Sequence, residues 1–113
     1  MRRAITVAVL ALALLGASVG EAEESCGEFR VTGYASEQYP GFTADGTRTL
    51  GNEWTIVAVD PAVIPLGSTV WIEGLGEFRA ADTGAGVLGR HLDVLTYTVA
   101  EAYALTGTYR ACW

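Results

Sequence analysis

Apolar and polar residues alternate along residues 28–35. Phe29, Val31, Gly33 and Ala35 fall on one side, and Arg30, Thr32 and Tyr34 on the other. A period of two is that of a β-strand with one face buried. The continuous apolar, β-branched run over 54–59 predicts a strand buried on both faces. Asp60-Pro61 ends it, because proline has no N–H to give and a fixed φ. Residues 68–73, with Val70 and Ile72 on one face, and residues 77–81 predict two more strands around the turn Gly74-Leu75-Gly76. Residues 92–97 and 109–113 predict the last two. Between them, Thr98-Val99-Ala100-Glu101 has the form of a capping box, which starts a helix. Ala102, Ala104 and Leu105 carry the helix on, and Gly107 fits its C-terminal stop. Residues 36–53, with Ser36, Pro40, Gly41, Asp45-Gly46 and Gly51-Asn52, and residues 83–91, with Gly84, Gly86 and Gly89, predict loops. About six short strands and one helix in ~90 residues predict an all-β fold, a small closed barrel rather than a sandwich.

The first residues follow a different pattern. Met1-Arg2-Arg3 is positive, residues 4–15 are apolar, and small residues precede Glu21, Glu23 and Glu24. That is the order of a secretory signal peptide, and the apolar run is shorter than the ~20 residues a spanning helix needs. The expectation is removal of residues 1–22, one domain over 23–113, a secreted or extracytoplasmic location and no stable membrane anchor. Removal of Arg2 and Arg3 changes the charge. With a cut after Gly20, five arginines face all thirteen acids, a net charge of −8, and there is no lysine. So anionic a domain is a poor partner for nucleic acid or anionic lipid. In an oxidising compartment the two cysteines, Cys26 and Cys112, are expected to pair. That closure of 86 residues removes up to ~4–5 kcal/mol of unfolded-state entropy. Glu23-Glu24-Ser25 lacks the apolar, small run that lipid attachment at Cys26 uses. With one histidine and two cysteines, no Cys/His zinc site is available.

Three aspartates follow apolar runs, in Ala58-Val59-Asp60-Pro61, Ala81-Asp82-Thr83-Gly84 and His91-Leu92-Asp93-Val94. Each is expected at the end of a buried strand. Burying charge is costly, and desolvation with mutual repulsion raises at least one pKa, as acid chemistry near neutral pH requires.

These blocks, with Val31-Thr32-Gly33-Tyr34-Ala35, Thr43-Ala44-Asp45-Gly46, Val63-Ile64-Pro65-Leu66-Gly67 and Gly89, resemble the three-aspartate (3D) domain. That domain is the catalytic barrel of membrane-bound lytic transglycosylase A and occurs in stationary-phase survival proteins. The resemblance covers nearly the whole chain after the signal segment. It implies a double-psi β-barrel that cuts the MurNAc-β-1,4-GlcNAc bond of peptidoglycan to a 1,6-anhydro product. One carboxylic acid suffices for that, protonating the glycosidic oxygen and then taking the proton of the muramyl 6-hydroxyl. In the family the third aspartate has this role, which falls on Asp93. Asp60 and Asp82 are expected to raise its pKa, orient it or steady the oxocarbenium-like charge. Tyr34, Thr43, Thr83 and Gly84 are the expected glycan contacts. The resemblance calls for no cofactor and no metal. Leu88 departs from the family, in which a lysine is common there. The chain carries no companion wall-binding or larger cleft domain, so cell-wall hydrolase partners are expected beside the glycan strands.

Rival readings are few. A non-catalytic wall-glycan-binding module would keep the same barrel. An aspartic protease needs two facing Asp-Thr-Gly loops, and the chain has one. Three carboxylates could hold a hard cation such as calcium, but the chain has no EF-hand loop. His91 is commonest as a loop-surface residue; near Asp93 it could instead relay a proton.

Overall fold

A computed structural model describes residues 24–113. The expected signal segment lies outside the described residues. The elements are β1 (Cys26–Ala35), β2 (Ile56–Ala58), β3 (Thr69–Ile72), β4 (Gly76–Asp82), β5 (His91–Thr96), α1 (Val99–Leu105) and β6 (Gly107–Cys112). The strands close into a barrel in the order β1-β5-β2-β4-β3-β6. Two pairs are parallel, β1 with β5 and β2 with β4; the other pairs are antiparallel. Parallel neighbours distant in sequence need crossovers; loops with β2, β3 and β4 supply the one from β1 to β5, and loops with β3 the one from β2 to β4. Among the described residues no helix is long and apolar enough to cross a membrane.

The alternation read in β1 sets its inside. Val31 is fully buried with Val57, Val70, Ile72, Ala80, Leu92, Val94 and Ala111 in the main core. A smaller cluster, Ile56, Ala81 and Leu95 with Tyr34 against it, lies on the other face of the sheet. Neighbours along a strand point to opposite faces, so Val57 and Val94 face in while Ile56 and Leu95 face out. Cys26 and Cys112 are register partners on β1 and β6 and form a disulfide.

α1 begins at the expected capping box. Thr98 accepts from the Glu101 amide, and the Glu101 carboxylate accepts from the Thr98 amide. Its buried residues, Ala102 and Leu105, face the barrel. The helix presses directly on β1: a Cβ at Gly33 would lie 2.7 Å from Ala102 Cα. Only a residue without a side chain fits there.

Three details differ from the sequence reading. Gly107 does not stop the helix; Thr106 is the C-cap, and Gly107 opens β6. The sheet partner Val31 claims Gly107 for the barrel, so tertiary pairing overrides local stop chemistry. The second strand starts at Ile56, because Trp54 turns the chain with φ +61° and donates its amide to Leu95 O. Asp93 lies near the beginning of β5, rather than at a strand end.

Candidate active site

The barrel's registry assembles one row of residues across four strands. Thr32 on β1 is the partner of Asp93 on β5. Asp93 is the partner of Ala58 on β2, and Ala58 of Asp82 on β4. Directly paired residues share a face, so the two aspartates flank Ala58 on the face opposite the core. A register shift between Val57 and Ala58 makes this possible. Regular pairing would set Ala81 opposite Ala58 and turn Asp82 to the other face. The bulge adds Ala81 as an extra residue and re-aims Asp82 beside Asp93.

The row lies in a cleft of about 840 Å3 lined by residues of β1, β4, β5, α1 and the loop after β1. Asp93 lines it and accepts a 2.8 Å hydrogen bond at Oδ1 from Thr32 Oγ1. Burial raises its pKa above the ordinary carboxylate value, and the nearby Asp82 charge adds to the rise. Thr32, His91 and Arg30 pull the other way without cancelling it. Asp82 is held differently. Its Oδ2 accepts from Tyr34 OH at 2.8 Å, and its Oδ1 from the amides of Ala44 and Thr83 at 2.9 Å each. Three donors fix this carboxylate as an acceptor. Tyr34 in turn is pushed well above the ordinary phenol pKa, first by burial and then by Asp82, so it stays a proton donor.

Asp60 stands apart. Its Oδ1 accepts from the Ala62 amide at 3.0 Å and its Oδ2 from the Gly89 amide at 2.8 Å. These two bonds lower its pKa, Gly89's first. It ties the glycine-rich loop before β5 to the end of β2, and it is not among the residues lining the cleft. The expected role of Asp60 in raising the pKa of Asp93 finds no counterpart, since Asp82 is the acidic neighbour that acts on Asp93. Of the expected glycan contacts, Tyr34, Thr83 and Gly84 line the cleft. Thr43 does not. It is buried, donates to Asp45 and accepts from the Thr47 amide, and so braces the 43–47 turn.

Several cleft residues carry no motif. Arg30 is the one cation among those lining the cleft. Tyr39, Phe42 and Tyr103 line the walls and are 58%, 71% and 78% exposed, an arrangement that offers ring faces to a planar or sugar-like ligand. Tyr39 belongs to a loop and Tyr103 to the solvent side of α1, so periodicity gives them no signal. His91 is no loop-surface residue. It opens β5, with Nε2 2.7 Å from Thr32 Oγ1 and Nδ1 3.1 Å from Gly86 O. Leu88 is exposed and outside the cleft lining.

The three aspartates do not converge as a cation cage. Among the described residues the metal-capable group is Glu24 with Cys26 and Cys112, and those sulfurs are joined as a disulfide.

The 3D domain family model matches residues 55–113, which include β2 through β6 and all three aspartates. The chain belongs to the 3D domain family. Over 47 residues it is 51% identical to the cell wall-binding protein YocH of Bacillus subtilis (strain 168), which is 42% of this chain and 16% of that protein. Over 64 residues it is 45% identical to the putative cell wall shaping protein YabE of the same organism, which is 56% of this chain and 16% of that one. The match thus spans 16% of the length of each of these relatives. The β1 half of this 3D domain site, Thr32 and Tyr34, precedes the matched segment.

Proposed function

We propose that this 3D domain works on the cell wall outside the cytoplasm and cuts peptidoglycan glycan strands as a lytic transglycosylase, with Asp93 as acid/base. The names of its relatives, cell wall-binding and cell wall shaping, support the setting. The observation that carries the chemistry is the contrast between two neighbouring aspartates. Burial raises the pKa of Asp93, while three donors hold Asp82 as an acceptor. Environments that differ in this way divide acid from charge-stabiliser.

Asp93 gives its proton to the glycosidic oxygen as the bond from C1 to that oxygen breaks. Positive charge gathers at C1 and the ring oxygen, near the fixed negative charge of Asp82. The Asp93 carboxylate then takes the proton of the muramyl 6-hydroxyl while O6 bonds to C1. Asp93 ends protonated, so one turnover consumes no water and no net proton. Thr83 and Gly84 contact the glycan at the lip, and Tyr39, Phe42 and Tyr103 stack on its rings. Residues 1–22 serve as the signal segment removed on export; N-terminal sequencing of the exported protein tests that.

A second reading, a wall-glycan-binding module without turnover, is favoured by the name of the relative YocH, a cell wall-binding protein. Mass spectrometry of soluble products from purified sacculi separates the two. Anhydromuropeptides from the wild type and none from Asp93→Asn support the transglycosylase. Sedimentation of both proteins with sacculi and no product supports the binding module.

A further inference from the structure

Thr32 has one hydroxyl proton and two polar neighbours. Its Oγ1 lies 2.8 Å from Asp93 Oδ1 and 2.7 Å from His91 Nε2. The other ring nitrogen, Nδ1, lies 3.1 Å from the carbonyl oxygen of Gly86. These three contacts form one chain, from Gly86 through His91 and Thr32 to Asp93. Both ends are oxygens: the Gly86 carbonyl accepts, and the Asp93 carboxyl accepts when ionised and donates when protonated.

A count of protons restricts the states of this chain. A neutral imidazole has one N–H, and Thr32 has one O–H. Beside an ionised Asp93 that makes two protons for three contacts, and one contact is left unbonded. Three protons satisfy all three contacts, in either of two arrangements. In the first, Asp93 is ionised, Thr32 donates to it, and both imidazolium nitrogens donate. In the second, protonated Asp93 donates to Thr32, Thr32 donates to Nε2, and Nδ1–H donates to Gly86. The two arrangements contain the same protons. They interconvert when one proton passes from Nε2 to Oγ1 and another from Oγ1 to Oδ1, with no change in total charge.

We propose that His91 and Asp93 share one proton across the hydroxyl of Thr32, and that His91 thereby acts as a positioning residue that keeps a proton available to Asp93. Its effect on turnover rests on the acid/base role proposed above for Asp93; the sharing itself needs no substrate. The ionisable groups facing the pair are Arg30 and Tyr34 from β1 and Asp82 from β4. Arg30 favours the ionised Asp93 and Asp82 opposes it, so neither arrangement is excluded by the surroundings. Parallel pairing brings His91 and Asp93, two residues apart on β5, onto the same side as Thr32. The hydroxyl therefore reaches both.

The test is an NMR pH titration that follows the Asp93 carboxyl carbon and the His91 ring nitrogens together. In the wild type both nuclei register loss of the shared proton as one common step, with Nδ1 protonated on the acid side of it. Thr32→Val, nearly the same shape without the hydroxyl, separates the signals into two independent steps. Thr32→Ser restores the common step, which separates lost coupling from lost packing. Independent steps in the wild type, or a common step that survives Thr32→Val, overturn the proposal. Turnover of sacculi is measured beside it. Its alkaline limb shifts in Thr32→Val and returns in Thr32→Ser. A common step with no turnover by the wild type would sink the transglycosylase reading and leave the shared proton standing. Turnover with independent steps would do the reverse.

Discussion

The phenol of Tyr34 on β1 donates a 2.8 Å hydrogen bond to Asp82 Oδ2 on β4, although β5 and β2 lie between those strands. The bond closes the outer face of the row over Ala58 and holds Asp82 from the side opposite the Ala44 and Thr83 amides. Tyr34→Phe keeps the ring and removes the donor. A hydrogen bond to a charged acceptor in a half-buried setting contributes on the order of 1–2 kcal/mol. Urea denaturation of Tyr34→Phe is expected to show a loss of that size, with an unchanged far-ultraviolet circular dichroism spectrum. An unchanged midpoint would mean that water replaces the phenol at no cost.

Asp93 costs the fold stability at neutral pH. Its folded-state pKa is raised above the ordinary 3.8, mainly by burial. An acid with a raised folded pKa disfavours the folded state once the unfolded chain ionises. The penalty is absent below the unfolded pKa and grows as pH rises from there through the folded value. Asp93→Asn removes it. The variant is therefore expected to match the wild type in stability at acid pH and to exceed it at neutral pH, while losing turnover. Thermal melts at several pH values check this; equal melting differences at all pH values would contradict the assigned shift.

Asp60 has the opposite sign. Backbone hydrogen bonds from Gly89 and Ala62 lower its pKa. Its contribution is fully present above the unfolded pKa and is lost as pH falls through the folded value. Asp60→Ala is expected to free the Gly89 amide, whose φ of +66° already favours glycine. Hydrogen exchange at Gly89 should speed up while the β1 and β5 amides keep their protection. Equal exchange in both proteins would show that the loop holds itself.

Gly33 fixes the distance between α1 and the barrel. A Cβ there meets Ala102 Cα at 2.7 Å and Ala102 Cβ at 2.8 Å, and backbone cannot yield as a flexible side chain can. Gly33→Val is expected to lift α1 and to cost roughly 1–3 kcal/mol, the usual range for overpacking. The same shift would move Tyr103 and Thr106, which line the cleft. A crystal structure or amide chemical shifts over 99–106 would report the movement. An unmoved α1 would place the strain in β1.

Much of the fold was legible because it is written locally. Alternation in β1, the apolar run before Asp60, the Gly74 turn and the Thr98–Glu101 box each act within a few residues, so each can be read from its own segment. The misread ends, Trp54 and Gly107, are places where a partner distant in sequence takes the residue. Leu95 O claims the Trp54 amide, and Val31 pairs with Gly107.

Local patterning specifies which residues of β1 face the core, where α1 starts, that the two cysteines pair, and that three aspartates stand in the order of a 3D domain. It could not divide those aspartates among roles. Their different surroundings follow from a β-bulge at Ala81, from crossover pairing that sets Asp93 between Thr32 and Ala58, and from a loop that turns Asp60 away to Gly89. Each depends on which strands become neighbours when the barrel closes. Closure brings together residues far apart in sequence, 61 positions in the case of Thr32 and Asp93, and a carboxylate's pKa answers to those neighbours rather than to its own segment.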